Sequence, residues 1–237
     1  MTTLLNIYNC LIERYKNHRL DITMSKISRA MQLNNEGTMF LAKGKEEVAI
    51  NRYTSALLLI KGGLSEIPVE GHECDSEIAL CVSPVLVPSP FSTPDDYFIY
   101  NHALIFCKTS ASPDTDINFL SSVIIFNMAL LYNIQGIRDN APNFQRRGLY
   151  LYEMSLGLLD NFASKNVDSI LLRAACLNNM SQISVDQDDF DKAQLLLIHL
   201  QYLMSKSFKT SLLDENDIQG FMLNITLFGQ PKPARAA

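Results

Sequence analysis

Apolar residues recur at helical spacing along most of this chain and alternate along one stretch of it. Leu4, Leu5, Tyr8, Leu11, Ile12 and Tyr15 form one helical stripe at the N-terminus. The segment "NNEGTMFLAKGKEEVAINRYTSAL", Asn34 to Leu57, carries the next two. It predicts a helix over about Ile27–Ala42 and a second over about Lys45–Ile60, with Gly44 in the tight turn between them. Helices joined by so short a link pack antiparallel, and their backbones approach only where side chains are small. Gly37 on the first helix and Ala49 and Ala56 on the second give that room, while Phe40 and Tyr53 fill the volume alongside.

One hairpin leaves an apolar face uncovered, so the pattern should recur. A second copy lies in "SVIIFNMALLYNIQG…RRGLYLYEMSLGLL", where Ala129, Tyr132, Gly136, Gly148, Tyr152 and Ser155 take the corresponding places. The step from Ala129 to Gly148 is 19 residues, against 12 from Gly37 to Ala49. The 7 extra residues are expected in an extended turn within "IRDNAPNFQRR", where Pro142 would break a helix. The third copy, "LNNMSQISVDQDDFDKAQLLLIHL", places Ser181, Ser184, Asp188, Ala193, Leu197 and Leu200 in phase. Then "LLDENDIQGFMLNITLFG" predicts a closing helix capped by Asp214, with Ile218, Phe221, Met222 and Ile225 as its buried stripe. The acidic turn "DQDDFDK" lacks the loop glycine and terminal glutamate of an EF-hand, so its aspartates read as helix caps.

Residues 64–121 break the period. "SEIALCVSPVLVPSPFSTPDDYFIYNHALIFCK" alternates and is rich in β-branched and aromatic residues. Ile78–Val82 and Tyr97–Lys108 predict a β-hairpin with the prolines in its connection. The interval reads as an insertion whose removal should leave a helical protein. An isolated two-stranded hairpin is marginal in water, so its apolar face must lean on the helices or on a partner. Ser83-Pro84, Ser89-Pro90, Thr93-Pro94 and Ser112-Pro113 read first as turn chemistry, with phosphorylation by a proline-directed kinase as the alternative.

The expected architecture is therefore all-α: an antiparallel helix-hairpin solenoid with a strand-rich insertion, a β-hairpin, between its first and second repeats and a C-terminal capping helix. The parts are an N-terminal helix and lead-in over 1–29, repeat one over 30–63, the insertion over 64–121, and repeat two with its extended turn over 122–162. A linker and repeat three follow over 163–206, then the capping helix over 207–228 and a short flexible tail over 229–237. The three phased motifs resemble tetratricopeptide (TPR) repeats. The order "LNNEG", "YNHAL", "IIFNMALLYN", "LYLYEMSLGLL", "LNNMSQISVDQDDFDKA" and "GFMLNITLFGQPKPARAA" is similar to a TPR-like family of diatoms over roughly 30–237. That family implies no defined activity. TPR domains in general imply binding of a protein or peptide.

Composition narrows the function classes. A net charge of −5 over 237 residues with no basic cluster argues against nucleic acid. No apolar run approaches the ~18 residues needed to span a bilayer, and the N-terminus does not read as a secretory signal. Five cysteines, Cys10, Cys74, Cys81, Cys107 and Cys176, without a CxxC pair, favour a reduced intracellular compartment, cytoplasmic or nuclear, and thiols used as small buried fillers. Zinc held by His72, Cys74, Cys81, His102 and Cys107 is disfavoured for want of a tight ligand pair. No phosphate loop, dinucleotide fingerprint, GxSxG elbow or HExxH is present, so neither an enzyme nor a cofactor is expected.

What remains is an interaction module with a protein or peptide partner. Asn35, Asn127 and Asn179 each stand two residues before the small residue of a repeat's first helix. An amide offers both donor and acceptor, which suits an extended peptide backbone in a concave groove. The resemblance to TPR proteins implies the same role at these three positions. Asn34, Asn178, Phe126 and Leu130 belong to the same expected groove, with Met31 and Val123 adding apolar surface. The lysine and arginine partners of a carboxylate clamp are missing; Asn34, Thr38 and Ala175 stand near those places. Structural hydrogen bonding is the alternative role for the asparagines. The alternative function is a structural subunit docking on a larger assembly through the hairpin, and an enzyme of unrecognised type is the third.

Overall fold

The computed structural model describes residues 2–64, 80–88, 97–109, 115–160, 167–207 and 215–228. Helices α1 (Thr2–Leu41) and α2 (Glu46–Leu64) lead into strands β1 (Val82–Leu86) and β2 (His102–Phe106). Helices α3 (Ile117–Arg138), α4 (Pro142–Asp160), α5 (Val167–Asp186), α6 (Phe190–Ser207) and α7 (Glu215–Phe228) follow. The fold is mostly helical, with one small antiparallel sheet between α2 and α3. Helix α1 runs without interruption across the boundary drawn at residue 29.

The closest packing is within α1–α2, α3–α4 and α5–α6, and α2–α3, α4–α5 and α6–α7 join these pairs in order. Small residues sit where the helices meet. Ala49, Ala56, Ala129, Ser155, Ser181 and Ala193 are all buried. A Cβ on Gly148 would stand 3.1 Å from the Ala129 carbonyl oxygen, and one on Gly37 2.8 Å from the Tyr53 ring. Tyr53 and Tyr152 are fully buried, and each phenol finds a partner: Thr38 Oγ1 at 3.0 Å and Asn179 Nδ2 at 3.0 Å.

All three hairpin turns use one device. Gly44, Asn140 and Asp188 take the left-handed conformation, with φ of +67°, +47° and +59°. Around each, the next residue's N–H reaches back to a carbonyl five residues earlier: Lys45 to Phe40, Ala141 to Gly136, Asp189 to Ser184. This is the Schellman closure of a helix C-terminus. Asp189 then caps α6 by accepting from the Lys192 N–H at 3.2 Å, as the acidic turn suggested.

The extended turn of the second hairpin is not found. Its turn is as tight as the others, and Pro142 is the first residue of α4, where a missing N–H costs nothing. The extra residues lengthen both helices. Asn127 lies 13 residues ahead of Asn140, against 9 for Asn35 ahead of Gly44 and for Asn179 ahead of Asp188. Gly148 likewise follows Asn140 by 8, where Ala49 and Ala193 follow their turns by 5. Additions of four and three residues are each about one helical turn, so every side chain keeps its face.

The strands also differ from expectation. Val82 pairs with Phe106 and Leu86 with His102, so β1 begins where the first predicted strand ends and contains Pro84. Ser83, Val85 and Val87 face β2 through their backbones, which turns the Pro84 nitrogen to the outer edge, where no donor is needed. The interval does not stand apart from the helices: Val82, Val87, Tyr100, Ala103, Leu104 and Phe106 belong to the core shared with them. Helix α7 buries Phe221 and Ile225 as predicted, with Ile218 and Met222 half-buried. The expected cap Asp214, the steps Ser89-Pro90, Thr93-Pro94 and Ser112-Pro113, residues His72 and Cys74, and the tail lie outside the described residues.

Candidate functional site

An antiparallel strand presents its backbone groups alternately to its two sides. In the segment from Tyr97 to Cys107, odd residues bond β1: Asn101 accepts from Val87 N–H and the Cys107 N–H donates to Cys81 O. Even residues turn toward the helices, where a second strand would normally stand. Asparagine side chains stand there instead. Phe106 N–H donates to Asn35 Oδ1, and Asn35 Nδ2 donates to Phe106 O, both at 2.9 Å. Asn127 makes the same pair with Leu104, both at 2.8 Å. Asn179 makes it with Tyr100, both at 2.9 Å. Asn224 makes it with Phe98, at 3.0 and 2.7 Å.

One asparagine comes from each of α1, α3, α5 and α7, so the strand runs across the helices in reverse chain order. A primary amide offers an N–H donor and a carbonyl acceptor on the same side, so each pairs with both backbone groups of one strand residue and the row acts as a discontinuous third strand. Asn34 and Asn178 complete it. Asn34 Nδ2 donates to Leu104 O at 2.9 Å and Asn178 Nδ2 to Phe98 O at 2.9 Å, while their Oδ1 atoms accept from Asn127 and Asn224. Among the described residues, no asparagine reaches His102, midway between the Tyr100 and Leu104 clamps. Its Nδ1 lies 3.9 Å from Asp217 Oδ1.

The row is dry. Asn34, Asn127, Asn178, Asn179 and Asn224 are fully buried, and Asn35 is half-buried. Of the groove floor predicted from sequence, Phe126 and Leu130 are fully buried; Tyr100 of the strand meets the Phe126 ring at a tilt at 6.3 Å and stacks on Phe221 at 5.8 Å. Six of the expected groove residues, Asn34, Asn35, Asn127, Asn178, Asn179 and Phe126, thus meet the chain's own segment, the asparagines in the structural hydrogen bonding named as their alternative role. Asn224 was missed, although "Asn224-Ile225-Thr226" repeats the asparagine-then-small spacing of the other three.

Where the strand ends, the groove opens. A cavity of about 460 Å³ lies beside Asn35, bounded by Gln32, Met39, Phe40 and Lys43 of α1 and its turn and by Thr109. On the opposite side of the hairpin, Asp168 Oδ2 accepts from Val82 N–H at 3.2 Å. Burial pushes the Asp168 carboxyl up, and the Val82 bond partly offsets it. Burial likewise pushes the Cys176 thiol up to about 12. Cys81 and Cys107 depart from the buried-filler expectation: both are exposed, with Sγ atoms 3.3 Å apart. Helix α3 is, among the described residues, the one helix long and apolar enough to cross a membrane, and 72% of its apolar window is buried inside the protein. Among the described residues, no three His, Cys, Asp or Glu side chains converge as metal ligands.

No protein-family model matches the chain, and no curated protein or solved structure is significantly similar to it.

Proposed function

We propose that the protein is a non-enzymatic interaction module of TPR-like solenoid build. Its asparagine row binds an extended polypeptide by the backbone, and a partner's segment takes the place of the chain's own strand. The observation that carries this reading is the set of four two-bond amide clamps on Phe98, Tyr100, Leu104 and Phe106. Clamps of this kind engage groups that every non-proline residue carries, so sequence preference would come only from the pockets between them. The cavity beside Asn35 gives an incoming segment a foothold at the strand's end. Docking on an assembly through the hairpin is the second reading. It is favoured by Leu86, 61% exposed on β1, but Pro84 and the Asp168 contact blunt that edge.

A fluorescent peptide with the sequence of residues 97–108, titrated into the full chain, tests the exchange. Saturable binding is expected. It should be competed by unlabelled peptides of other sequences that keep the apolar alternation, and weakened by Asn35→Ala at the half-buried end. Failure of the peptide to exchange at any temperature below the onset of melting would overturn the reading.

A further inference from the structure

The hairpin that fills the groove carries two thiols at its root. Cys81 and Cys107 continue the register one step beyond Val82 and Phe106, and the Cys107 N–H donates to the Cys81 carbonyl at 2.9 Å. Hydrogen-bonded antiparallel partners have Cα atoms ~5.5 Å apart. Disulfides span Cα separations of roughly 4.4–6.8 Å. The Sγ atoms already stand 3.3 Å apart, and both residues are exposed to solvent. A covalent bond needs them at ~2.05 Å, a closure within reach of side-chain rotation alone. Among the described cysteines, Cys176 is buried away from this pair and bonds Ser155.

We propose that Cys81 and Cys107 form a reversible thiol-oxidation site, closed into a cross-strand disulfide by a low-molecular-weight disulfide such as oxidised glutathione. Cys107 loses its proton to solvent and its thiolate attacks one sulfur of the oxidant, forming a mixed disulfide and releasing one glutathione thiolate. Cys81 then loses its proton and attacks the Cys107 sulfur. The Cys81–Cys107 bond forms and a second glutathione thiolate leaves. Two protein thiols are oxidised and one disulfide is reduced to two thiols. The order follows from the surroundings of Cys81. The Cys107 contact first, then burial and the Asp168 charge, hold its thiol up at about 11. The first step removes the largest of these causes, because Cys107 then no longer offers a thiol partner.

The bond would close the loop from Cys81 to Cys107 and stiffen the strand that the asparagines hold. The full chain, equilibrated in oxidised and reduced glutathione, alkylated and mapped by mass spectrometry, should show a Cys81–Cys107 cystine. Its Tm should exceed that of the reduced chain by several degrees, as expected for a loop-closing crosslink. Cys81→Ser should lose the rise and accumulate glutathione on Cys107. The Cys81→Ser/Cys107→Ser double variant should melt like the reduced chain under both conditions. Glutathione adducts without an internal cystine, a cystine that uses Cys10 or Cys74, or a cystine that leaves Tm unchanged would each overturn the proposal. Slower peptide exchange in the oxidised chain rests in addition on the exchange reading. A cystine that raises Tm but leaves exchange unaltered would therefore count against exchange and for the disulfide.

Discussion

At the residue scale the central object is an amide in a dry place. A buried Asn with both bonds made costs little, but removing it leaves buried polar partners unpaired. Asn127→Ala orphans the Leu104 N–H and Asn34 Oδ1, while the Leu104 carbonyl keeps its bond from Asn34 Nδ2. It should lower stability on the order of 3 kcal/mol. Asn35→Ala, half-buried beside an open cavity where water can substitute, should cost about 1 kcal/mol. Urea midpoints of the two variants check this, and equal losses would contradict the burial gradient. A second residue-scale test concerns Asp186, the last residue of α5. Burial pushes its carboxyl up, the Gln145 amide at 2.8 Å partly offsets this, and a helix C-terminus also disfavours a negative charge. With the folded value raised, this group's stabilisation is complete below the unfolded value of ~4 and is lost as pH rises through the folded value. Asp186→Asn should therefore melt above wild type at pH 7, and the gap should close toward pH ~4. A gap independent of pH would refute it. The places of Asn35, Asn127 and Asn179 were legible in sequence because helical phase fixes which face a residue takes. Their occupant was not legible, because nothing local to "LNNEG" or "IIFNMA" says that a residue 70 positions after the one and 23 before the other supplies the strand.

At the element scale the helices were readable from apolar spacing and small residues, and the errors came from turns and prolines. "IRDNAPNFQRR" looked like a loop because Asn140 and Pro142 are both turn formers. In the structure one supplies the left-handed closing residue and the other starts the next helix. The strand boundaries slipped because Pro84 argues against a central strand, and only the pairing shows that it occupies an edge. The contact between α7 and the strand gives a direct test. A Cβ on Gly220 would fall 2.4 Å from the Phe98 ring, which itself packs edge-on against Phe221 at 5.5 Å. Alanine is favoured over glycine inside a helix by ~1 kcal/mol, so Gly220→Ala would normally stabilise. Here it should destabilise by about 1–3 kcal/mol through overpacking. In a Phe98→Ala background, where the ring is gone, the same change should turn stabilising. A double-mutant cycle from thermal melts decides, and additive effects would mean that the two groups do not touch.

At the scale of the whole molecule, the hairpin makes the helices into one cooperative body, since α1, α3, α5 and α7 all hold the same strand. Replacing residues 80–109 by a short linker should abolish the cooperative transition and leave a helical but loosely packed chain that exposes apolar surface to dyes. A deletion variant that melts sharply near the wild-type Tm would show the strand to be dispensable. The period break at 64–121 told where the helical repeat stops; it could not tell that the interrupting segment returns to the centre, because that depends on contacts across the whole sequence. The reversed order of the clamps also has a consequence for how the protein is born. As the chain is synthesised, Asn35 exists before the segment it holds, but the helices for Leu104, Tyr100 and Phe98 come later, and Asn224 follows Phe98 by 126 residues. Until α7 emerges, the apolar run "YFIYNHALIF" has only part of its seat, while folding units otherwise complete themselves from the N-terminus. Ribosome-bound chains stalled before residue 215 should therefore keep this run accessible to chaperones that grip extended apolar segments. Release of those chaperones should coincide with the appearance of the last helix rather than with each hairpin in turn.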